Sequence, residues 1–403
     1  MFHFSHFAGT RIHLGLTGSV AAYRMLDLCR DLLGADIWVS AALTDAGSRF
    51  VTSESLRALG VNPVFGSLFR EPHQPYPHLE PGQQADGLLI APATANFLAK
   101  MACGLADDLL STQVLAFSGP TVVAPAMNPT MWNAPATTAN VDLLRDRGVK
   151  VMEPEAGDVA CGDVGRGKLP PVSDIAYNML RAVGPCDMQG QKVLVNMGPT
   201  REPLDPVRYW SNPSSGKMGA AVATAAWLRG AEVHCVSGPC DPQLPSGVSL
   251  TRVHTAKQMY DACDEKWPEM DLACLCAAVC DLRPSRPQKE KLKKTDLPSE
   301  ETSISFTANP DILQALGSRK SSLQKLVGFA AETEQNLEAE ARAKLQRKNL
   351  DGIVANRVDH NHTGFATDYN SVLLLDASGR AVSSGSRTKA DIAWYIWDWI
   401  LHS

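Results

Sequence analysis

The stretch Arg11-Ile-His-Leu-Gly-Leu-Thr-Gly-Ser19 begins the unit that decides the fold of the first half of the chain. Its first six residues, Arg11–Leu16, predict a β-strand, and the glycines and serine that follow predict a turn. Apolar residues then recur every three or four positions, which predicts a helix over Val20–Leu33 that ends at Gly34. Ile37–Ala42 is the next predicted strand. This order is typical of a βαβ unit with parallel strands.

The same alternation of strands and helices runs through both halves of the chain, with a restart near the middle. Gly184 and Gly190 interrupt the pattern, and Lys192–Met197 predicts a new first strand. We therefore expect two α/β domains, residues 1–187 and 188–403, with parallel sheets. The other predicted strands are Gly87–Ala91, Thr121–Ala124, Val149–Met152, Glu232–Val236, Leu272–Ala277, Leu326–Ala330, Ile353–Ala355 and Val372–Leu375. The other predicted helices are Ala95–Cys103, Asp107–Val114, Thr137–Arg147, Met218–Leu228 and Lys389–Leu401.

The composition is that of an ordinary globular protein. Its 403 residues fit two domains, since one domain uses about 100–200 residues. The net charge of −5 argues against nucleic-acid binding through a basic surface, and no run reaches the roughly 18 apolar residues of a membrane span. Ten cysteines, several of them in apolar runs, predict free thiols in a reducing cytosol. We expect a cytoplasmic protein without a signal peptide, and neither nucleic acid nor a membrane as partner.

Two glycine-rich turns follow first strands, one in each half, at places where a helix N-terminus attracts anions. The first turn, Gly15–Gly18, lacks the G-x-G-x-x-G spacing of dinucleotide-binding folds. The second, Ser211–Lys217, is followed by Met218 where a Walker ATPase needs Ser or Thr. These departures disfavour NAD-binding and Walker-type functions. For each turn alone, a plain strand-to-helix connection remains the alternative.

Three short segments of the first half combine small residues with residues that carry chemistry. Ala91–Asn96 (APATAN) and Ala124–Asn128 (APAMN) end predicted strands, and Ala160–Asp163 (ACGD) lies in a glycine-rich loop. Small residues at the carboxyl ends of parallel strands let a flat ring approach the backbone. Taken singly, Asn128 is explained as a helix cap and Cys161 as a core residue.

In this order, and together with Gly15–Tyr23, these segments resemble the flavin-dependent cysteine decarboxylases, and specifically phosphopantothenoylcysteine decarboxylase. The resemblance covers about Arg11–Ala176. It implies a flavodoxin-like domain that binds FMN and assembles as a trimer, with the flavin at a subunit interface. The cofactor-binding residues that it implies are Gly18, Ser19, Thr44, Pro92, Ala93, Thr94, Ala95, Asn96, Ser111, Ala126 and Met127.

The resemblance also implies a chemistry and the residues that perform it. Oxidation of the substrate thiol to a thioaldehyde lets the carboxylate leave, and the remaining enethiolate is then protonated and reduced. The implied catalytic residues are Cys161 as proton donor, Asn128 as ligand of the substrate carboxylate, and His78 as the active-site histidine. The chain departs from the family pattern at Gly167–Pro170 (GKLP), where the family has Gly-Arg-Met, and at Arg24, where it often has lysine.

The second half contains a long strand-to-helix connection whose composition is too specific for a linker. It consists of Gly198–Arg208 (GPTREPLDPVR) and Ser211–Gly219 (SNPSSGKMG). Together with later segments it resembles phosphopantothenate–cysteine ligase, from about Lys192 to the C-terminus, and this resemblance implies a Rossmann-like α/β ligase domain. The later segments are Ala277–Asp281, Lys291–Lys294, Asn309–Ile312, Val327–Thr333, Lys344, Lys348–Asn349 and Asn356.

The ligase resemblance implies that a nucleotide activates a carboxylate before it acylates an amine. 4′-Phosphopantothenate would attack the α-phosphate of CTP and form an acyl-cytidylate that reacts with cysteine, while lysines and Mg²⁺ stabilise the negative charge. The implied catalytic residues are Lys291 and Asn212, and the implied metal ligand is Asp281. The implied nucleotide-binding residues are Ala277, Asp281, Lys291, Asn309, Pro310, Asp311, Ile312, Phe329, Lys344 and Lys348.

Together the two resemblances imply a bifunctional enzyme of coenzyme A biosynthesis, whose second half makes the substrate of the first. Its partners would be small-molecule substrates and other copies of the chain, with decarboxylase trimers and ligase dimers combined in a dodecamer. Two alternatives remain: a non-catalytic regulatory subunit with a flavin fold, and an enzyme with only the ligase half active. His78, Asn128 and Cys161 argue against the first, whereas the departures at Gly167–Pro170 motivate the second.

Overall fold

The structure, a computed structural model, describes residues 1–66, 76–158, 162–241, 243–293, 303–332, 337–357 and 369–402. Four residues of the predicted motifs lie outside the described residues, namely Ala160, Cys161, Lys294 and Thr333. The chain forms two compact units, His3–Pro185 and Cys186–Ser403. In the described part of the chain, no helix combines the length and the apolar character needed to cross a membrane.

The first unit is built on a sheet in which every pairing is parallel. Without the two-residue edge strand β3, the strand order is that of flavodoxin-like folds, which confirms the predicted fold class. The predicted strands lie within two residues of the observed ones. These are β1 (Arg11–Leu16), β2 (Trp38–Leu43), β3 (Val64–Phe65), β4 (Gly87–Ala93), β5 (Thr121–Pro125) and β6 (Lys150–Val151), in the order β3-β2-β1-β4-β5-β6.

The first predicted helix is wrong in its first turns. Val20–Arg24 forms a 3₁₀ helix, and the α-helix begins only at Met25. In the 3₁₀ segment Ala22 is buried, but Val20 and Tyr23 are exposed. The buried stripe of the α-helix consists of Met25, Leu28, Cys29 and Leu32. The helices of this unit are α1 (Met25–Leu33), α2 (Ser53–Ala58), α3 (Glu80–Gln84), α4 (Ala95–Cys103), α5 (Leu109–Ala116), α6 (Pro129–Trp132), α7 (Pro135–Asp146) and α8 (Val172–Val183).

A β-hairpin that the sequence pattern does not predict follows the sheet of the first unit. Its strands, β7 (Glu155–Asp158) and β8 (Val164–Lys168), pair antiparallel. Their residues are mostly polar or glycine, so neither apolar alternation nor β-branched residues mark them as strands. The ACGD segment belongs to the connection between β7 and β8, of which residues 159–161 lie outside the described part.

The second unit has a larger sheet, in the order β13-β12-β9-β14-β17-β18-β20-β21, and three two-stranded sheets, β10-β11, β15-β16 and β19-β22. Its strands are β9 (Lys192–Met197), β10 (Arg201–Pro203), β11 (Tyr209–Ser211), β12 (Glu232–Ser237), β13 (Ser249–Arg252), β14 (Leu272–Leu275), β15 (Leu282–Pro284), β16 (Phe306–Ala308), β17 (Lys325–Glu332), β18 (Gly352–Arg357), β19 (Tyr369–Asn370), β20 (Val372–Asp376), β21 (Ala381–Ser383) and β22 (Arg387–Thr388).

The expectation of parallel pairing is correct for six strands of this sheet and wrong at one edge. Pairings from β13 to β18 are parallel, whereas β20 pairs antiparallel with both β18 and β21. The chain reverses between β20 and β21 over residues 377–380, with Gly379 at a φ of +94°. A parallel partner needs a crossover of a dozen or more residues, so this short connection explains the antiparallel pairing of β20 with β21. Residues 358–371 connect β18 to β20, and residues 358–368 lie outside the described part of the chain.

The helices of the second unit pack on this sheet, and the two predicted ones agree with the structure within one residue. These are α9 (Lys217–Leu228) and α13 (Lys389–Leu401), and Trp397 Nε1 of α13 donates to the Val222 carbonyl oxygen of α9 at 2.9 Å. The sequence pattern did not predict α10 (Ala256–Lys266), α11 (Ile312–Arg319) or α12 (Leu337–Arg347). In α10 only Ala256, Met259 and Cys263 are buried. This apolar stripe has too few residues for helical periodicity to predict the helix.

A buried arginine just after α9 connects this helix to residues near the first and the last positions of the second unit in sequence. Arg229 is 2% exposed. Its guanidinium donates to Asp187 at 2.5 and 3.0 Å and to Asp398 of α13 at 2.5 Å, and it lies over the Trp394 ring at 5.0 Å. The two carboxylates remain partly exposed. The arginine is therefore paired twice on one side and packed on an aromatic ring on the other.

We predict that Arg229→Met destabilises the second unit by about 2–3 kcal/mol, because two carboxylates lose a shared buried partner. The loss is smaller than for fully buried charges, since water still reaches both carboxylates. Urea unfolding followed by tryptophan fluorescence measures the loss. The matched control is Lys257→Met, which removes an exposed pair with Asp261 and should cost less than about 0.5 kcal/mol. Equal losses in the two variants would contradict this account.

Candidate active sites

The first candidate site lies at the carboxyl ends of β1 and β4, where the order of the parallel strands reverses. Thr17 Oγ1 donates to the Pro92 carbonyl oxygen at 2.7 Å and accepts from the Thr94 backbone N–H at 3.0 Å. Thr94 Oγ1 in turn caps α4 by accepting from the Phe97 N–H at 3.3 Å. The loops after β1 and β4 are therefore fixed against each other at the place where open α/β sheets bind ligands.

The residues after β2 meet the turn after β1 at the same edge. The Thr44 N–H donates to the Leu16 carbonyl oxygen at 3.1 Å, and Thr44 Oγ1 accepts from the Gly47 N–H at 3.0 Å. A Cβ on Gly18 would lie 2.5 Å from the Cβ of Ala46. Only glycine therefore fits in this turn, and its backbone path is fixed by close packing.

The APAMN segment after β5 is held by the sheet on one side and by the hairpin on the other. The Ala126 N–H donates to the Ala93 carbonyl oxygen at 3.0 Å, and the Met127 N–H donates to the Gly167 carbonyl oxygen of β8 at 2.9 Å. A Cβ on Gly167 would lie 2.2 Å from the Met127 carbonyl oxygen. Gly167, which precedes the departure from the family pattern at Lys168, thus permits this contact.

Asn128 uses both the oxygen and the nitrogen of its amide in hydrogen bonds. Its Oδ1 accepts from the Thr130 N–H at 2.8 Å and so caps α6, as the simpler explanation of this residue predicts. Its Nδ2 donates to Asp163 Oδ2 at 2.5 Å. Because the cap requires the oxygen, the amide orientation is fixed, and its N–H group binds a carboxylate in this structure.

A cavity of about 630 Å³ opens beside these residues, which is within the range of about 300–1,000 Å³ typical of small-molecule sites. It contains charges of both signs, and Lys168 Nζ lies 3.8 Å from Glu155 Oε2. The turn after β1, the APAMN segment and the hairpin all contribute to its wall. The lining residues are Ser19, Val20, Ala21, Tyr23, Arg24, Ala126, Met127, Asn128, Glu155, Asp158, Gly167, Lys168, Leu169, Pro170 and Pro171.

Part of the predicted flavin set lies near this cavity without lining it. Gly18, Thr44 and the segment Pro92–Asn96 occupy the same strand ends but are not among its lining residues. Ser111 is buried at the start of α5, where it forms a capping box with Asp108, and it lines a different cavity of about 320 Å³. The role of these residues in flavin binding remains a prediction.

His78 lies in a turn before α3 and is not among the described residues that line the cavity of about 630 Å³. The turn is closed by the N–H groups of Leu79 and Glu80, which donate to the Tyr76 carbonyl oxygen at 3.0 and 3.3 Å. The His78 ring is half-buried and packs edge-to-face on Tyr76, with 6.3 Å between the ring centroids. Within one chain, the structure does not bring His78 together with Asn128.

The second candidate site lies in the second unit, at the carboxyl ends of β9, β14 and β17. Gly216 directly precedes α9 and has a φ of +74°, in the left-handed region. A Cβ added at this position would lie 2.6 Å from Cys240 Sγ. The start of this twelve-residue helix, with Lys217 as its first residue, faces a cavity of about 440 Å³. Unpaired N–H groups at such a start favour an anion. The lining residues are Asn212–Gly219, Cys276–Val279, Asp281, Phe329, Ala330, Lys344, Asn356, Asn370 and Lys389.

Two polar side chains of this cavity have defined hydrogen bonds, and a third has a buried oxygen without one. Asn212 Nδ2 donates to the Val279 carbonyl oxygen at 3.1 Å, and Lys344 Nζ donates to the Phe329 carbonyl oxygen at 3.1 Å. Asn356 Oδ1 is buried and has no hydrogen-bond partner in the described part of the chain. A buried acceptor in a cavity wall is a suitable place for a ligand donor.

The remaining predicted nucleotide residues are not in the cavity wall. Asn309 lies beside it, since its backbone N–H donates to the Asp281 carbonyl oxygen at 2.8 Å, with Pro310 and Ile312 following. Lys348 Nζ pairs with Asp311 Oδ2 at 2.7 Å. Burial alone would raise the pKa of Asp311, but Lys348, the Gln314 N–H and the Lys344 charge together outweigh it and lower that pKa.

Lys291 is exposed and does not line the cavity of about 440 Å³. Asp281, the predicted metal ligand, does line it. Within the described ranges, no group of three or more His, Cys, Asp or Glu side chains could hold a metal ion. Any Mg²⁺ at Asp281 would therefore depend on phosphate oxygens and water for most of its ligands, as is common for this ion.

Comparison with known proteins gives a match for each half and for the whole chain. Residues 4–184 match the family model described as Flavoprotein, and residues 188–403 match that described as DNA/pantothenate metabolism flavoprotein C-terminal domain. The coenzyme A biosynthesis bifunctional protein CoaBC of Vibrio vulnificus (strain CMCP6) is 40% identical over 373 residues, which cover 92% of each chain. The chain belongs to the CoaBC family.

Other members of the CoaBC family are equally similar. The protein of Escherichia coli (strain K12) is 41% identical over 377 residues, which cover 93% of each chain. The crystal structure of the C-terminal domain of a CoaBC protein is 36% identical and has a TM-score of 0.45. It covers 53% of this chain and 96% of that chain.

Two residues of the second cavity were missed by sequence reasoning. Asn370 in β19 and Lys389 at the start of α13 line the cavity, and they are 2% and 6% exposed. Both lie well after the motifs in the chain. The signal that could have found Lys389 is a lysine at the first position of an otherwise apolar helix, which a structural helix does not need to bury.

A further missed contact holds the segment that carries Lys291. Asp205 is buried, and its carboxylate accepts from the N–H groups of Val207 at 2.8 Å, Arg208 at 2.7 Å and Leu292 at 3.2 Å. The Arg208 side chain donates to the Leu292 carbonyl oxygen at 3.0 Å. The residue next to Lys291 is therefore held on both sides of its peptide unit.

We predict that Asp205→Asn destabilises the second unit in a pH-dependent way. Burial alone would raise the pKa of Asp205, but the three N–H groups and the Arg208 charge together outweigh it and lower that pKa. The stabilisation is therefore complete above the unfolded-state pKa of about 3.9 and is lost as the pH falls through the lower folded-state value. Urea midpoints of wild type and variant should differ most at neutral pH and converge at acidic pH. A constant difference would contradict this assignment, and exposed Asp261→Asn is the control.

Proposed function

We propose that the chain catalyses two consecutive steps of coenzyme A biosynthesis. The second domain, residues 188–403, ligates cysteine to 4′-phosphopantothenate through an acyl-cytidylate formed from CTP. The first domain, residues 1–187, uses FMN to decarboxylate the product to 4′-phosphopantetheine. The observation that carries the proposal is that motif residues of each half line a cavity at the carboxyl ends of its sheet. Membership of the CoaBC family over more than nine-tenths of the chain supports both steps.

The residues around the first site fit FMN. The Thr17 bridge fixes the loops after β1 and β4, and small residues such as Ala126 leave backbone amides near the strand ends. Bound FMN would supply a reversible two-electron oxidation, in which a hydride equivalent leaves the thiol-bearing carbon of the substrate and is returned after carbon dioxide has left. The chain's own contribution is to hold the substrate, exclude water and supply one proton.

Asn128 is the residue that we assign to the substrate carboxylate. Its Nδ2–H already donates to the carboxylate of Asp163, and the cap on α6 keeps this N–H group in place. A substrate carboxylate that takes the position of the Asp163 carboxylate is oriented for departure and leaves into the apolar part of the cavity. The same exchange would release the hairpin connection that carries Asp163.

Cys161 is the residue that we assign to proton donation. It belongs to the β7–β8 connection, two positions before Asp163, although its own placement lies outside the described residues. A thiol is a suitable general acid near neutral pH for the carbon of an enethiolate. The connection would bring the thiol to the substrate when it closes over the cavity.

Other copies of the chain are the partners that we propose, besides the small-molecule substrates. His78 is absent from the wall of the cavity that contains Asn128, within the described part of a single chain. We therefore assign it to a site completed by a second copy, in decarboxylase trimers that combine with ligase dimers in a cytoplasmic dodecamer. Such an arrangement would place the flavin between copies.

In the ligase site, the start of α9 and Lys344 would bind the triphosphate, since both present positive charge to the cavity. Asn356 Oδ1 would accept from the amino group of the base. Asp281 would hold Mg²⁺ together with phosphate oxygens, which neutralises the leaving pyrophosphate. Asn212 would bind the pantothenate chain, and Lys291 would stabilise the acyl-cytidylate.

The direct test is incubation of the purified protein with 4′-phosphopantothenate, cysteine, Mg²⁺ and CTP, followed by mass spectrometry. We expect a product lighter than the ligation product by one carbon dioxide. Removal of Mg²⁺ by EDTA should stop ligation, yet supplied 4′-phosphopantothenoylcysteine should still be decarboxylated. ATP in place of CTP should give slower ligation. Absence of ligation with both nucleotides would contradict the proposal.

We predict that Cys161→Ser binds flavin and substrate but forms 4′-phosphopantetheine at least about 100-fold more slowly, because a serine hydroxyl is a much weaker acid. Flavin absorbance and the rate of product formation measure the two properties. The matched control is Cys103→Ser, which changes an exposed cysteine and should leave the rate unchanged. A normal rate in Cys161→Ser would show that the proton comes from another group.

A further inference from the structure

A buried histidine that the proposed mechanism does not use lies in the middle of β1. His13 is fully buried, and its ring packs edge-to-face on Phe65 with 5.8 Å between the centroids. Nδ1 lies 2.8 Å from Ser40 Oγ, and Nε2 lies 3.0 Å from Gln113 Oε1. Burial lowers the pKa of His13 to about 4, so the ring is neutral at physiological pH.

The contact between Gln113 and Pro77 determines which group donates and which accepts in each of these hydrogen bonds. Gln113 Nε2 donates to the Pro77 carbonyl oxygen at 2.9 Å, and a carbonyl can only accept. Gln113 Oε1 therefore faces His13 and can only accept, so His13 carries its proton on Nε2. The unprotonated Nδ1 then accepts from the Ser40 hydroxyl. Each group in this hydrogen-bond network is therefore fixed as a donor or an acceptor at each contact. Rotation of the Gln113 amide would break two hydrogen bonds.

The hydrogen-bond network ends at Pro77, the residue before His78. Pro77 is buried in the turn Tyr76–Glu80, which lies between the undescribed residues 67–75 and α3. Gln113 is 1% exposed and lies in the middle of α5. Its side chain thus links the turn that presents His78 to the central strand of the sheet.

Leucines at positions 13 and 113 would fill the core, but the buried Pro77 carbonyl would then lose its donor and the Ser40 hydroxyl its acceptor. A buried hydrogen-bonding group that is left unpaired is costly, so the network stabilises the unit as well as fixing the Pro77 carbonyl. What an apolar pair cannot do is hold the Pro77 carbonyl at a defined place.

We propose that Gln113, oriented by His13, is a positioning residue that fixes the turn carrying His78 in the decarboxylase site. The proposal rests on the role that the proposed function gives to His78. Gln113 touches neither substrate nor flavin in this account. Its effect on the reaction passes through the Pro77 carbonyl to His78 and nowhere else.

The test uses the full-length protein and three measurements on each variant: flavin absorbance, the ligase rate, and kcat and KM for decarboxylation of 4′-phosphopantothenoylcysteine. Gln113→Met keeps the side-chain size and removes both hydrogen bonds. We expect it to lower kcat by about 10-fold or more, since small displacements of a positioned group have effects of this size. Flavin content and ligase rate should stay at the wild-type level. A wild-type kcat would overturn the proposal.

His13 provides a matched pair of variants. In His13→Gln an amide N–H can still donate to Gln113 Oε1, so kcat should stay within about 3-fold of wild type, whereas His13→Leu should approach the loss seen in Gln113→Met. Equal kcat values for the Gln and Leu variants would overturn the role of His13. If Gln113→Met fails to fold, Gln113→Glu replaces it, because a carboxylate still accepts from His13 but cannot donate to Pro77.

A double-mutant cycle separates this proposal from the proposed function. His78→Gln should lower kcat, and adding Gln113→Met should lower it no further. If His78→Gln has no effect, the role of His78 and the positioning proposal both fail. If His78→Gln lowers kcat and Gln113→Met lowers it further by its full single-variant factor, the role of His78 stands and Gln113 acts by another route, which overturns the proposal.

Discussion

Parallel strands of one sheet end at a common edge, and both candidate sites depend on this constraint. In the first unit, the Thr17 hydroxyl bridges the ends of β1 and β4 by donating to the Pro92 carbonyl and accepting from the Thr94 N–H. In the second unit, Asn196 Oδ1 at the end of β9 accepts from the Ala277 N–H after β14 at 2.9 Å. One buried polar side chain thus joins neighbouring strand ends in each half. The segments that carry the motifs begin at these joints.

The residues with proposed chemistry also have structural contacts, and the two roles are compatible. Asn128 caps α6 with its oxygen, which leaves its N–H group to bind a carboxylate. Lys348 forms an ion pair with Asp311, so its charge contributes to a contact within the second unit. Asp205 and Arg208 hold the peptide unit next to Lys291. A catalytic side chain is thus placed by backbone contacts of its neighbours, which simple motif matching does not reveal.

The sequence predicts features whose signal is local. Apolar patterning predicts five strands of the first sheet, all but β3, together with helices α9 and α13, and these agree with the structure within two residues. The hairpin β7–β8 was missed because glycine and charged residues give no period. The antiparallel edge at β20 was missed because pairing direction depends on the connection and not on the strand. His13 and Gln113 are 100 positions apart, and their contact depends on sheet order, which no short pattern contains.

The central claim is that the two units act consecutively on one small molecule. The most direct measurement supplies 4′-phosphopantothenate, cysteine, CTP and Mg²⁺ to Cys161→Ser, to Lys291→Gln, and to an equal mixture of the two. The account predicts that Cys161→Ser accumulates the ligation product, that Lys291→Gln forms almost none but decarboxylates it when supplied, and that the mixture forms 4′-phosphopantetheine. A mixture as inactive as its components, or rapid ligation by Lys291→Gln, would contradict the account.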